Sequence, residues 1–181
     1  MLISWFSDLF RNKGCSQVVS PHPLPITYLT PLERCAIKEV RNAPTLFYDI
    51  DGVFHAYQND SLSQQHLLVD LIAAYGDVQL VMSSNWRESM TYGFFAENFH
   101  PIILDRTIGF TPVFDLEQAS RSAEVEAFAA HYGIDNFICI DDTSNLFYQN
   151  CNYLYLTEKS TGITRQDIDK IKIKLGSILT S

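Results

Sequence analysis

One stretch of the sequence decides the fold: TLFYDIDGV, residues 45–53. Its apolar and aromatic first half is typical of a buried strand. Asp49 and Asp51 follow on the same side, because side chains alternate along a strand, and Gly52 permits a sharp turn. Two like charges at the end of a core strand repel unless a cation or a proton lies between them. Open α/β folds bind ligands at the carboxyl ends of strands, so the stretch predicts a divalent-metal site with a second carboxyl group free for chemistry.

A second apolar run also ends in paired carboxylates. Residues 137–142 read FICIDD and close with Asp141 and Asp142. Taken alone, the pattern DxDG is also compatible with a calcium loop or a solvated turn. Two strands that each end in paired aspartates disfavour the solvated turn.

These two stretches resemble motifs of the haloacid dehalogenase (HAD) superfamily, whose commonest members are Mg²⁺-dependent phosphatases. Residues 49–53 look like its first motif, and residues 137–145 look like its fourth, where one or two acids bind Mg²⁺. The resemblance implies that Mg²⁺ is held by Asp49, the backbone carbonyl of Asp51, and Asp141. It also implies that Asp142 or Asn145 completes or orients the coordination.

The stretch VMSSNWR, residues 81–87, lies between these motifs. Hydroxyl and backbone N–H groups at a strand-to-helix junction can hold a phosphate, and the stretch resembles the second HAD motif. Either Ser83 or Ser84 is then the phosphate-binding residue, and Asn85 and Arg87 are candidates for substrate contact. The alternative is that the serines only cap the following helix.

Arg121 is the candidate for the third motif, a basic residue that is usually lysine and neutralises the nucleophile and the phosphate. It is the only Lys or Arg between Arg106 and Lys159. A planar, permanently charged guanidinium binds phosphate with a different reach from an ammonium. The alternative is a solvated arginine at a helix start.

The elements between the motifs alternate between strand and helix. Helices are predicted over residues 63–75 and 122–132 and after Thr164, and strands over residues 78–82 and 153–156. A short strand is predicted over residues 102–104, and a turn or loop over residues 109–112. Alternation predicts an α/β fold with a parallel sheet and helices on both faces. The resemblance implies a Rossmannoid three-layer sandwich, and the motif spacing leaves no room for a substantial cap domain.

The length of 181 residues suits one domain with a terminal extension. The resemblance implies that the domain, at 44–181, is a HAD-like hydrolase domain, and the extension covers residues 1–43. The extension divides into an amphipathic segment at 1–13, a Pro-rich linker and a helix over 32–42. The amphipathic segment either contacts a membrane surface or a partner, or forms a short packed helix or loose terminus.

The net charge and the cysteines indicate which partners and which cellular compartment to expect. The formal charge of −8 argues against a general nucleic-acid binder. The four cysteines show neither metal-ligand spacing nor a disulfide framework, and Cys139 lies in an apolar run, so we expect a reducing, cytoplasmic compartment. No apolar run approaches the roughly 20 residues that a membrane-spanning helix needs.

The resemblance implies a phosphohydrolase in which Asp49 attacks phosphorus to form an aspartyl-phosphate. Asp51 would protonate the leaving oxygen and then act as base for the hydrolytic water. A phosphotransferase of the same family and a non-catalytic binding module are the alternatives. The acidic charge favours a small phosphoester or a phosphoprotein as substrate over long RNA or DNA, and uncapped relatives often act on large substrates or borrow a partner as a lid.

Overall fold

Five parallel strands form the centre of the protein in a computed structural model that describes residues 38–57, 59, 61–114 and 120–179. They are β1 (Thr45–Tyr48), β2 (Gln79–Met82), β3 (Thr107–Phe110), β4 (Phe137–Asp141) and β5 (Leu154–Leu156). Their order is β3-β2-β1-β4-β5, and all neighbours are parallel. After β1 the chain forms β2 and β3 on one side of that strand, and then crosses over to form β4 and β5 on the other side. This switch point lies at the carboxyl end of β1, where such sheets bind ligands.

Helices cover both faces of the sheet. They are α1 (Gln65–Tyr75), α2 (Tyr92–Asn98), α3 (Pro101–Arg106), α4 (Ser120–Tyr132) and α5 (Arg165–Leu179). Alternation along β1 sends Tyr48 into a core with Leu68 and Ile171, and sends Phe47 into a second core with Phe128. The fold is thus the predicted α/β three-layer sandwich, and the described residues form no large cap.

Two predictions between β2 and α4 were wrong. Residues 102–104 are helical because Pro101 occupies the first position of α3 and His100 Nδ1 accepts a hydrogen bond from the N–H of Ile102. The predicted turn at 109–112 overlaps strand β3, which runs to Phe110. This strand pairs with β2, and the register shifts between Leu80 and Val81. A short apolar run fits either a strand or a helix, so its neighbours decide.

The predicted helix over residues 32–42 was wrong in its described part. Residues 38–42 carry no helix, and the N–H of Lys38 instead donates to the carbonyl of Ile108 on edge strand β3. The amphipathic segment, the linker and the rest of that helix lie outside the described residues. Cys139 is fully buried, in keeping with its place in an apolar run. The described helices include none with the length and apolar character needed to span a bilayer.

Candidate active site

Three carboxylates converge at the switch point. Asp49 follows β1 directly, Asp141 is the last residue of β4, and Asp142 comes next. Each contributes one oxygen to a group whose members lie within 4.8 Å of one another. Asp49 is 7% exposed and Asp141 is fully buried. The parallel register of β1 and β4 produces this convergence, because neighbouring parallel strands end at the same sheet edge.

The carboxylates fit a divalent cation. Asp141 Oδ1 accepts a hydrogen bond from the N–H of Thr143 at 2.8 Å, and Asp142 Oδ1 accepts one from Thr143 Oγ1 at 2.5 Å. Their other oxygens, both Oδ2, are buried and find no hydrogen-bond donor among the described residues. Buried acceptors of this kind are costly unless something pairs with them. Carboxylate oxygens are the ligands that Mg²⁺ prefers.

The electrostatics of the group also favour a cation. Burial raises the pKa of Asp49, although Arg121 and a hydrogen bond from Ser84 oppose the rise. Burial, together with the charge of Asp49, raises the pKa of Asp141 to about 8. Lys159 Nζ lies 3.9 Å from Asp142 Oδ2 and, together with Arg121, offsets part of the negative charge of the three carboxylates. A divalent cation would balance the rest.

Arg121 lies inside the site. It is the second residue of α4 and only 3% exposed, which excludes the alternative of a solvated arginine. Its Nε lies 3.8 Å from Asp141 Oδ2, and its Nη2 donates to Asn85 Oδ1 at 2.9 Å. Nη1 is buried and donates no hydrogen bond to a described residue. A cationic donor thus stands between the loops after β2 and β4, where an anion can reach it.

Comparison with protein families agrees with this geometry. The model of the HAD domain in Swiss Army Knife RNA repair proteins matches residues 45–168. The chain belongs to this HAD family. No curated protein matches the chain. HAD domains are usually hydrolases and typically use Mg²⁺, and the acidic group of this HAD domain is compatible with both.

The structure distinguishes the two serines of the HAD domain. Both are fully buried. Ser83 Oγ lies 4.0 Å from Cys139 Sγ inside the sheet, whereas the Ser84 hydroxyl lies close enough to the Asp49 carboxylate to lower the pKa of Asp49. Ser84 Oγ also accepts the backbone N–H of Trp86 and so caps the short 3₁₀ helix Asn85–Glu88. Ser84 is therefore the better-placed candidate for phosphate binding, and it serves as a cap as well.

Asp51 stands apart from the three clustered carboxylates. Its side chain is 38% exposed, and its carboxylate is not part of the acidic group. Oδ2 accepts a hydrogen bond from Trp86 Nε1 at 3.0 Å, and Oδ1 lies 3.5 Å from His55 Nε2. The Asp51 carboxylate thus lies outside the group of metal candidates, and the contact of its backbone carbonyl with Mg²⁺ stays a prediction. Trp86 and His55 were not predicted as site residues, because no local pattern connects either ring to Asp51.

Arg87 lies in the interior, away from the solvent-exposed face of the candidate site. It is 1% exposed, and its guanidinium donates to the carbonyls of Ser83, Ser84, Thr111 and Pro112. Its Nη2 also bonds Glu124 Oε2 at 2.8 Å. The expectation that Arg87 contacts substrate was wrong, because backbone acceptors enclose the side chain. Asn85 is exposed, and so is Asn145, which lies in the single turn Ser144–Leu146.

Gly52 allows the close approach of the loop after β1 to Asp142. Its φ is +64°, and a Cβ there would overlap the Asp142 carboxylate. We expect Gly52→Ala to lower the free energy of unfolding by about 1–3 kcal/mol more than Gly133→Ala. Gly133 is the matched control, because its φ is +66° and no described atom lies within 4 Å of the place that an added methyl group would take. Urea denaturation measures both variants, and equal losses would contradict the crowding of Asp142.

Proposed function

We propose that this HAD domain is a Mg²⁺-dependent phosphohydrolase that cleaves phosphomonoesters through an aspartyl-phosphate on Asp49. One observation supports the proposal above all others. The oxygens of Asp49, Asp141 and Asp142 lie within 4.8 Å of one another, with Ser84 and Arg121 beside them. The arrangement offers a nucleophile, a cation site and donors for phosphate oxygens in one place.

In the first step, a carboxylate oxygen of Asp49 attacks phosphorus. The Asp49–phosphorus bond forms as the bond to the leaving oxygen breaks. Ser84 and Arg121 donate hydrogen bonds to the equatorial oxygens and balance their charge. Mg²⁺ held by Asp49, Asp141, Asp142 and the backbone carbonyl of Asp51 would let an anionic nucleophile approach an anionic phosphate.

Asp51 acts as the general acid in the first step and as the general base in the second. It gives a proton to the leaving oxygen in the first step and takes one from the attacking water in the second. That water displaces Asp49 from phosphorus and releases inorganic phosphate. The exposure of the Asp51 side chain, at 38%, is consistent with contact to a substrate that enters from solvent.

Two substrate classes follow from different observations. The formal charge of −8 favours a small phosphoester or a phosphoprotein. The name of the matched family favours the phosphorylated end of an RNA, which requires only local contacts rather than general nucleic-acid affinity. Release of inorganic phosphate from each class, at equal concentration, would rank them. Transfer to an added alcohol instead of water would indicate the phosphotransferase alternative.

Metal dependence is the first test. We expect the protein to hydrolyse a generic aryl phosphate with Mg²⁺, to stop in EDTA and to resume when Mg²⁺ is added back. Mg²⁺ at about a hundred times its Kd should also raise the melting temperature by about 5–10 °C, because it binds only the folded site. Asp141→Asn should lose both effects. A thermal shift without turnover of any tested phosphoester would favour the binding module, and EDTA-resistant turnover would contradict the metal site.

A further inference from the structure

Two rings flank the carboxylate of Asp51, and one of them, the indole of Trp86, donates a hydrogen bond to it. The indole Nε1 of Trp86 donates to Oδ2 at 3.0 Å, and His55 Nε2 lies 3.5 Å from Oδ1. His55 is fully buried and Trp86 is half-buried, whereas the Asp51 side chain is 38% exposed. An exposed aspartate usually rotates freely. In Asp51, however, the hydrogen bond from Trp86 restrains one of the two carboxylate oxygens.

Backbone hydrogen bonds and ring contacts fix the position of Trp86. Its backbone N–H donates to Ser84 Oγ at 3.3 Å, and its carbonyl accepts the N–H of Met90 at 2.8 Å. Its ring centroid lies 5.9 Å from that of His55 and 6.1 Å from that of Phe94. The same short turn therefore presents the Ser84 hydroxyl to Asp49 and the indole N–H to Asp51.

We propose that Trp86 is a positioning residue for the proton transfer to the leaving oxygen, and that it acts through Asp51. This inference rests on the proposed phosphohydrolase function. An indole N–H only donates, so Oδ2 is the acceptor in this bond and Oδ1 remains to carry the transferable proton. Fixing the carboxylate plane places that proton before the substrate arrives, which saves the cost of orienting it in the transition state.

The inference predicts a dependence on the leaving group. Phenyl phosphate and p-nitrophenyl phosphate share a ring, but phenolate is the more basic leaving group and needs the proton more. In Trp86→Phe, we expect kcat/KM for phenyl phosphate to fall about tenfold or more, which is part of the roughly 10²–10⁴-fold that general acid catalysis contributes as a whole. For p-nitrophenyl phosphate we expect a loss of less than about threefold, on the same reasoning.

Phe94→Leu is the matched control, since it removes a ring that packs on Trp86 but no hydrogen bond to Asp51. It should change kcat/KM for both substrates by the same factor. Turnover of p-nitrophenyl phosphate shows at the same time that each variant is folded. If Trp86→Phe does not fold, Trp86→Leu provides the same comparison, because it also has no side-chain donor.

A double variant tests whether Trp86 acts through Asp51. In an Asp51→Asn background, the further change Trp86→Phe should no longer alter the ratio of kcat/KM between the two substrates. Equal losses for both substrates in Trp86→Phe, or a full additional loss in the Asp51→Asn background, would overturn the inference while leaving the proposed function intact. Absence of Mg²⁺-dependent turnover in the wild type would overturn both.

Discussion

Asp49→Asn is expected to abolish Mg²⁺-dependent phosphate release, with a fall in kcat of at least about 10³-fold. An amide oxygen is a poor nucleophile and does not form an acyl-phosphate that water can hydrolyse. The substitution also removes one of the three carboxylates that lie within 4.8 Å of one another. Steady-state release of phosphate from an aryl phosphate measures the loss, and mass spectrometry of the intact protein reports any phosphorylated intermediate.

The fold should survive Asp49→Asn. Burial already raises the pKa of Asp49, so a neutral group of the same shape removes a desolvated charge. In the absence of Mg²⁺ the variant should melt at the same temperature as the wild type or higher. Asp105→Asn is the matched control, because the Asp105 side chain is 77% exposed, and it should retain wild-type turnover. Wild-type activity in Asp49→Asn would refute the nucleophile assignment.

Arg87→Met is expected to cause the largest loss of stability, about 3–5 kcal/mol in the free energy of unfolding. The methionine keeps much of the side-chain volume but leaves the buried Glu124 without its 2.8 Å partner. It also leaves the carbonyls of Ser83, Ser84 and Thr111 without the guanidinium. Two of these carbonyls belong to the serines of the second motif, so turnover should fall with stability. Urea denaturation followed by circular dichroism measures the loss.

Arg41→Met provides the comparison for Arg87. Arg41 forms an ion pair with Asp77 at 2.7 Å, but both side chains are about half or more exposed, at 49% and 65%. Surface ion pairs contribute about 0–1 kcal/mol. A loss in Arg87→Met no greater than that in Arg41→Met would contradict the structural role assigned to the buried guanidinium.

Much of the fold was predictable from local patterns. An apolar run followed by Asp49 and Asp51 predicted β1 and the acidic residues at its carboxyl end, and a second such run predicted β4. The helical spacing before Tyr132 predicted α4, which begins at Ser120, two residues earlier than expected. The helix predicted after Thr164 is also present as α5, and the N–H of Asp167 donates to Thr164 Oγ1 at 3.3 Å. These features depend on periodicity and on neighbours within a few residues, which a sequence displays directly.

The sequence by itself determined which residue types stand at the ends of β1, β2 and β4. Only the tertiary structure decided which side chains these residues contact. It brought Arg121 within 3.8 Å of Asp141, enclosed Arg87 among carbonyls and joined Trp86 to Asp51 across 35 positions of the chain. The physical reason is that these partners depend on strand order and register, and side-chain spacing along one element carries no information about either.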